Sequence, residues 1–579
     1  MKRFSRKLRR TAMYSSAAVL SVVALGLAGC GDDDDGGNDT ASALTRLASV
    51  PLGAEITGMF LNDEGDMFFN VQHPSSANVA PNDLATVGVI TGANLHDLAE
   101  NFTESPVPTT DLEKQSVMTA VGAYQPLGQE GQTFGGDLPF GLGAIVAADG
   151  LSAVAYSDDP DFNAYLPDPT AAAGETRGYL FSNWEYRPGG MSRLHIEKDS
   201  GSGAWRVLEA LNIDFSAVQG TWVNCFGTLS PWGTPLTSEE LYFDDTSIWN
   251  DGTDSGVQNL AAYLGYPTDG AGAWPNPYRY GYIVEITNPE DAAPAPVKLF
   301  ALGRYSHENA VVMPDRRTVY LSDDGGNVVF FKFVADTADD LSAGTLYAAQ
   351  VTQDAGVTDP AQAGFDITWI ELAHGDAATI ETWIAEYDGV TVADYVNGGS
   401  SYISDADVCA WAEDKTGQDL ACDATGGVFT DDRAAFLESR KAAAALGATA
   451  EFNKMEGVNI NYAGAADGSI PYMYMAMSDV SGGMSDGAGD IAVDANRCGV
   501  VYRMEFVDAA GGDYDVTRME PAVAGGPYDA ALTVNQCSVD NISNPDNLLV
   551  MNDGRVMIGE DTSRHENNML WVWNPAAAE

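Results

Sequence analysis

Histidine and positive charge are both scarce in this chain, and each shortage removes a class of function. Six histidines occur in 579 residues, with no His-Glu-x-x-His pattern and no nucleophilic-serine motif, which argues against a histidine-rich zinc site and against serine-based acyl transfer. Lys and Arg number 29 against 83 Asp and Glu, a formal charge of −54. Nucleic acid and anionic lipid both need positive charge on a partner, so neither is expected here; such a surface suits calcium and saline surroundings. No apolar run reaches the ~20 residues that a bilayer crossing needs.

What is present begins with a leader. Lys2, Arg3, Arg6, Lys7, Arg9 and Arg10 precede an apolar run from about Ala17 that ends in Leu27-Ala28-Gly29-Cys30. Residues 1–30 therefore read as an export signal, and the ending resembles a lipobox, after which Cys30 is the lipidated N-terminus. Ordinary cleavage nearby would instead leave Cys30 a spare thiol, and Arg9-Arg10 leaves a twin-arginine route open. The acidic stretch from Gly31 to Asp39 has nothing to bury, so 31–45 reads as a flexible tether. The expectation is an exported, monomeric lipoprotein of the outer membrane, periplasmic or at the cell surface, touching the membrane only through Cys30.

Residues 46–579 carry one pattern six times: a short apolar strand, a tight Asp- or Gly-rich turn, and a second strand ending in carboxylates or carboxamides. The copies run Thr57–His73, Gly141–Glu185, Cys225–Glu240, Glu308–Asp324, Glu456–Asp479 and Asp546–Asp561. An antiparallel hairpin sets the start of its first strand beside the end of its second, and six hairpins arranged radially turn those ends toward one channel. The fold class is thus all-β, a six-bladed β-propeller. Insertions are expected at about 157–177 and 371–449, the latter with helical patterns at Asp376–Tyr387 and Asp431–Leu446.

In an exported protein the neighbours Cys409 and Cys422 are expected to pair, and Cys498 with Cys537 as a second bridge, which leaves Cys225 alone. A lone thiol is commonly just buried, but Cys225 begins a first strand on the same rim as Glu308, Glu456 and Asp546. Opposite them, at second-strand ends, stand Glu185, Glu239-Glu240, Asp323-Asp324, Asp479 and Glu560-Asp561. So many oxygen donors suit Ca²⁺ or Fe³⁺, and a thiolate among them favours a transition metal.

Several segments in one order, Trp222–Glu240, Gly303–Glu308, Val319–Asp324, Gly344–Tyr347, Met455–Gly457 and Asn544–Leu548, resemble the bacterial PhoX alkaline phosphatases. The resemblance implies a channel holding ferric iron and calcium that hydrolyses phosphomonoesters, with Cys225, Glu240, Glu308, Asp324 and Glu456 as ligands, joined by Glu185 and Asp546. Lys454 stands where the family pattern has Arg, and Ser238 where it often has Cys. Lys454 and Arg304 are the expected positive groups beside the cluster. The segment Asn70-Val71-Gln72-His73-Pro74, a motif that the family carries near its C-terminus, opens this domain and suggests a circular permutation. Rival readings are a calcium-dependent propeller lactonase or esterase, and a non-catalytic calcium-binding surface lipoprotein.

Overall fold

The repeats form six antiparallel blades of four strands each; a further strand joins blades 4 and 5 into one ten-stranded sheet, and Met118–Thr119 adds a fifth strand to blade 6. A computed structural model describes residues 43–578 apart from 242–245, 251, 395–401 and 423–428; the export signal, Cys30 and most of the acidic tether lie outside the described residues. From the channel outward, blade 1 is Glu55–Leu61, Met67–Gln72, Thr86–Thr91 and Ala123–Gln129. Blade 2 is Pro160–Pro167, Thr176–Trp184, Gly190–Lys198 and Trp205–Asn212. Blade 3 is Asn224–Leu229, Pro235–Glu239, Ile283–Thr287 and Ala295–Lys298. Blade 4 is His307–Val312, Thr318–Asp323, Phe331–Thr337 and Asp340–Gln353, extended by Phe365–Asp376. Blade 5 is Met455–Ile460, Tyr472–Met477, Val500–Asp508 and Arg518–Ala524. Blade 6 takes Pro545–Val550, Val556–Glu560 and Met569–Trp573 from the C-terminal end and Leu44–Ser49 from the N-terminal end. The two ends of the chain thus meet in one blade, the arrangement that a circular permutation needs.

Each inner strand packs on the inner strands of the blades before and after it, so the ring closes. An inner strand is the free edge of its sheet, and its unpaired backbone groups must find partners. Side chains supply them at all six boundaries. The Asn547 side-chain oxygen accepts from Gly58 N (2.7 Å), Asn163 donates to Gly58 O (2.9 Å), and Asn183 donates to Cys225 O. Thr228 donates to Ala310 O, Asn309 makes both bonds to Val458 (2.8 and 2.9 Å), and the Asn459 side-chain oxygen accepts from Val550 N (3.0 Å). Apolar side chains fill the wedges between blades, for example Val311 and Tyr320 of blade 4 against Met475 and Tyr502 of blade 5.

Two expectations change. The stretch 157–177 is not a loop insertion: it holds the inner strand of blade 2, Pro160–Pro167, buried for seven of its eight residues. Its two flanking prolines hide the strand in sequence, because proline at a strand's first residue or edge is structurally permitted yet reads as a breaker. The residues from Gly141 instead open a small separate hairpin, Ala144–Val146 with Ala153–Tyr156. The region after Phe365–Asp376 is helical as expected, with Ala377–Ala385, Asp405–Thr416, Arg433–Leu437 and Ser439–Ala445, the last two separated at the non-helical Glu438. Ile380, Trp411 and Phe436 from these helices share one core with Phe331 and Leu346 of blade 4 and Tyr282 of blade 3. Cys409–Cys422 and Cys498–Cys537 are disulfides, and Cys225 is a buried free thiol.

Loss of Leu44–Ser49 would leave Met569–Trp573 as a raw edge and open blade 6. A chain beginning at Pro51 is therefore expected to melt at a lower temperature than one beginning at Ala43. Equal melting temperatures would show that this strand does not close the ring.

Candidate metal centre

A β-bulge recurs at one place in every blade. In each inner hairpin two residues of the inner strand face one residue of its partner: 58–59, 161–162, 225–226, 308–309, 456–457 and 546–547. A bulge bends the strand and re-aims a side chain. The first bulge residues are Gly58, Asp161, Cys225, Glu308, Glu456 and Asp546, so five of six blades put a metal-ligand side chain at the same point.

These five converge. Asp161, Glu185 and Cys225 each offer one ligand atom within 4.8 Å of the others; so do Cys225, Glu240 and Glu308, and so do Glu308, Glu456 and Asp546. Shared members link the three groups into one continuous cluster across blades 2 to 6. Cys225 Sγ lies 3.2 Å from Glu308 Oε2 and 3.4 Å from Asp161 Oδ2. Blade 1 contributes no bulge ligand because Gly58 sits at φ +60°, and a Cβ there would lie 2.0 Å from the Asp161 carbonyl oxygen. It offers second-strand groups instead: Gln72 donates to Glu185 Oε1 (3.2 Å), and His73 Nε2 meets Glu55.

In blades 2 to 6 the residue just past the second strand forms the other half of the site: Glu185, Glu240, Asp324, Ser478 and Asp561. Glu240 and Asp324 interact directly, and Asp324 Oδ2 holds Lys454 Nζ at 2.6 Å. Lys454 Nζ is also 3.2 Å from Glu456 Oε1, whose same oxygen accepts from Ser478 Oγ at 2.7 Å. Lys454 adopts φ 56°, a left-handed conformation rare for a side-chain-bearing residue, and Val223 and Asn544 do the same immediately before their inner strands.

The carboxylate pairs divide their work. Glu239 accepts from Trp222 N, Gly281 N and Tyr282 N and pairs with the buried Lys298 Nζ at 2.8 Å. Asp323 is bound by Arg440, and Glu560 by His565 Nδ1 (2.9 Å) and Trp571 Nε1 (2.7 Å). These three tie the blade to its surroundings, while the next residues, Glu240, Asp324 and Asp561, belong to the channel mouth. Asp479, expected on the rim, turns to Arg564 (3.0 Å), and Ser478 takes its place.

Burial, reinforced by neighbouring carboxylates, raises Asp161, Glu240, Glu308 and Asp546 well above the ordinary carboxylate range. The same causes bring Glu456 to about 7, despite Lys454, and push the Cys225 thiol up. Burial disfavours the Lys454 charge, but Glu456, Asp324 and Glu240 outweigh it and hold the ammonium firmly protonated. Glu308 Oε1 and Asp161 Oδ1 are buried without a hydrogen-bond partner. Such crowding of hard oxygen donors with orphaned atoms fits bound cations, and the thiol at its centre fits one transition metal among them.

All seven expected ligands, Cys225, Glu240, Glu308, Asp324, Glu456, Glu185 and Asp546, are placed in or against this cluster, as is Lys454. Arg304 is not. Its Nε donates to the carbonyls of Pro277 (3.3 Å) and Tyr280 (3.0 Å), its Nη1 to that of Leu437 (3.3 Å), and it stacks over Tyr278. Its neighbourhood in sequence, just before His307-Glu308, misled because the chain turns outward at Gly303 (φ 85°). Sequence reasoning missed Asp161, although Asp161-Phe162 matches Cys225-Phe226 as a bulge pair. It also missed Glu55 and His73. Burial opposes charge on His73, but Glu55 and Asp159 outweigh it and raise its pKa to about 10.

The family model described as "Alkaline phosphatase PhoX" matches residues 192–575. No curated protein matches. The solved structure of Pseudomonas fluorescens PhoX in complex with vanadate, a transition state analogue, is similar in fold, with TM-score 0.52 and 18% identity over 93% of this chain and 88% of that one. A putative 6-phosphogluconolactonase from Bacteroides uniformis aligns with TM-score 0.24 and 9% identity over 68% of this chain and 76% of that one.

Two outcomes test the division of carboxylates. Lys298→Met leaves Glu239 buried and unpaired and is expected to destabilise the fold by about 3–5 kcal/mol in denaturant titrations; a loss below 1 kcal/mol would remove its structural role. In metal-free protein the cluster carboxylates bind protons more tightly folded than unfolded. Their contribution is therefore fully present below the unfolded value near 4.5 and is lost as pH rises, through about 7 for Glu456. The melting temperature of chelated protein is expected to fall from pH 5 to 9, and calcium to restore most at the alkaline end. A flat profile would mean the carboxylates are not crowded.

Proposed function

The chain belongs to the PhoX alkaline phosphatase family, and from that premise we propose that the bulge-built cluster is the site of phosphomonoester hydrolysis, with calcium and ferric iron as its ions. One observation carries this reading: Asp161, Cys225, Glu308, Glu456 and Asp546, the same bulge position in five blades, meet in linked triads. A phosphomonoester dianion approaching so acidic a protein is repelled unless cations reverse the local field.

Glu308, Glu456, Asp546, Glu240 and Asp324 offer the hard oxygens that calcium takes, and Cys225 with Asp161 and Glu185 the mixed donor set that iron takes. When bound, such ions supply positive charge that orients the phosphoryl oxygens and stabilises the charge of an in-line displacement. The chain's own residues do the rest. Lys454 is partly exposed at the mouth and stays protonated between Asp324 and Glu456, so it offers a fixed positive charge and its third N–H donor to an entering phosphate. Being a point charge, it holds one oxygen rather than the two that an arginine fork would. Ser478 fixes the orientation of Glu456, and the carboxamides at the blade boundaries hold the bulges in place.

Vanadate in the Pseudomonas fluorescens protein supports an active site that accepts a phosphoryl-like group. The leader and the Leu-Ala-Gly-Cys ending support export and anchoring through Cys30, with the propeller acting as a monomer on small organic phosphates outside the inner membrane.

Chelation of calcium is expected to abolish hydrolysis of p-nitrophenyl phosphate and added calcium to restore it; full activity without calcium would overturn the ion assignment. Cys225→Ser is expected to keep the fold while losing iron, visible absorption and most turnover, and an active iron-loaded variant would remove the transition metal from this reading. Lys454→Met is expected to lower kcat/KM about 100-fold, with Lys454→Arg retaining most of it. Equal rates in all three proteins would show that Lys454 does not touch the phosphate.

A further inference from the structure

One loop on the cluster face exposes apolar side chains that the packing of the blades does not use. Pro527–Val534 is a run of exposed residues between Arg518–Ala524 of blade 5 and Pro545–Val550, the inner strand of blade 6. Within it Tyr528, Leu532 and Val534 are 41, 47 and 49% exposed. Apolar area left in water is unfavourable, and grouped in one place it marks a contact site. The loop is also tied at its base. Cys537 is joined to Cys498, Tyr528 bridges to Cys537, and Asp529 N donates to Gln536 O (2.6 Å). The Asn535 side-chain oxygen accepts from Glu566 N (2.8 Å), which fastens the loop to the segment that follows Asp561.

Its seat is the rim of the metal centre. The Arg564 guanidinium lies 5.9 Å from the Tyr528 ring centre and donates to Asn544 Oδ1 (2.9 Å) and Asp479 Oδ2 (3.0 Å). Asn544 stands two residues before Asp546, and its backbone oxygen accepts from Asp561 N (3.2 Å). Asp479 follows Ser478, which bonds Glu456. One guanidinium therefore separates the Tyr528 ring from the rim, on the side where Glu456 and Asp546 meet. We infer that Tyr528 and Leu532 form a platform for the organic group of the phosphomonoester, and that it selects esters whose alcohol carries a flat aromatic ring. Because Arg564 is engaged by Asp479 and Asn544, the platform works by stacking and apolar contact rather than by charge. A loop already tied in place loses little freedom when a ligand settles on it. This inference rests on the phosphatase reading for its substrate.

The test compares adenosine 5′-monophosphate with ribose 5-phosphate on the metal-loaded full chain. Both release a primary alcohol, and only the first carries an aromatic ring system. The parent is expected to favour the nucleotide about tenfold or more in kcat/KM, the scale of one base stacked on one aromatic side chain. Tyr528→Ala is expected to bring the ratio near one and Tyr528→Phe to keep it, since the ring face rather than the hydroxyl makes the contact. Leu532→Glu, at the exposed tip, is expected to lower the ratio as well and replaces Tyr528→Ala should that variant not fold. A parent ratio near one, or a ratio that the substitution leaves intact, overturns the platform. If neither ester is hydrolysed, the phosphatase reading fails by itself, and adenosine then decides the aromatic site. A melting-temperature rise with adenosine that is larger in the parent than in Tyr528→Ala supports it, and equal rises, or none, overturn it. A parent that dimerises in light scattering and loses the dimer in Leu532→Glu assigns the loop to a second copy of the chain and overturns the platform.

Discussion

The structure depends on how six free strand edges are satisfied around one axis. Each inner strand presents backbone groups that no further strand can pair, and a buried unpaired amide costs on the order of 1–3 kcal/mol. Asn547, Asn163, Asn183, Thr228, Asn309 and Asn459 meet this need across the six boundaries. Five of these six bond to backbone at or beside a bulge, at Gly58, Cys225, Ala310 and Val458, so ring closure supports the bulges, and the bulges direct Asp161, Cys225, Glu308, Glu456 and Asp546. The site is therefore a by-product of closing the ring, with only the bulge residue left to choose the chemistry.

That arrangement concentrates negative charge where a protein can least accommodate it. Folding brings several carboxylates and a thiol into a low-dielectric channel with Lys454 as the cation in direct contact. The surrounding fold compensates with separate buried pairs, Glu239 with Lys298, Asp323 with Arg440 and Glu560 with His565, each one residue away from a channel carboxylate. Adjacent acidic residues in the sequence thus serve opposite ends: the first anchors its blade, and the second faces the channel. Left-handed backbone at Val223, Lys454 and Asn544 is strain held by the same packing.

The helices after blade 4 add a wall that the propeller alone lacks. Ser439–Ala445 brings Arg440 against Asp323, so the insertion holds an anchoring carboxylate as well as covering blades 3 and 4.

The sequence alone made legible the blade count, the strand and turn alternation, the isolation of Cys225 and most of the cluster residues, because a period-2 hairpin places strand ends together whatever its surroundings; it suggested both disulfides, which the tertiary contacts then settled. It could not separate Glu239 from Glu240 or Asp323 from Asp324, since which of two neighbouring carboxylates faces the channel follows from strand register. It misread Pro160–Pro167, where prolines mask a strand that only neighbouring blades stabilise, and so lost Asp161. Arg304 lies three residues before the inner strand His307–Val312, yet its side chain packs against Pro277, Tyr280 and Leu437, a direction set by Gly303 and the packing of distant helices. Local periodicity gave the parts of the channel, and long-range closure decided which of them face it, because direction at a bulge and burial of a charge are properties of the whole ring.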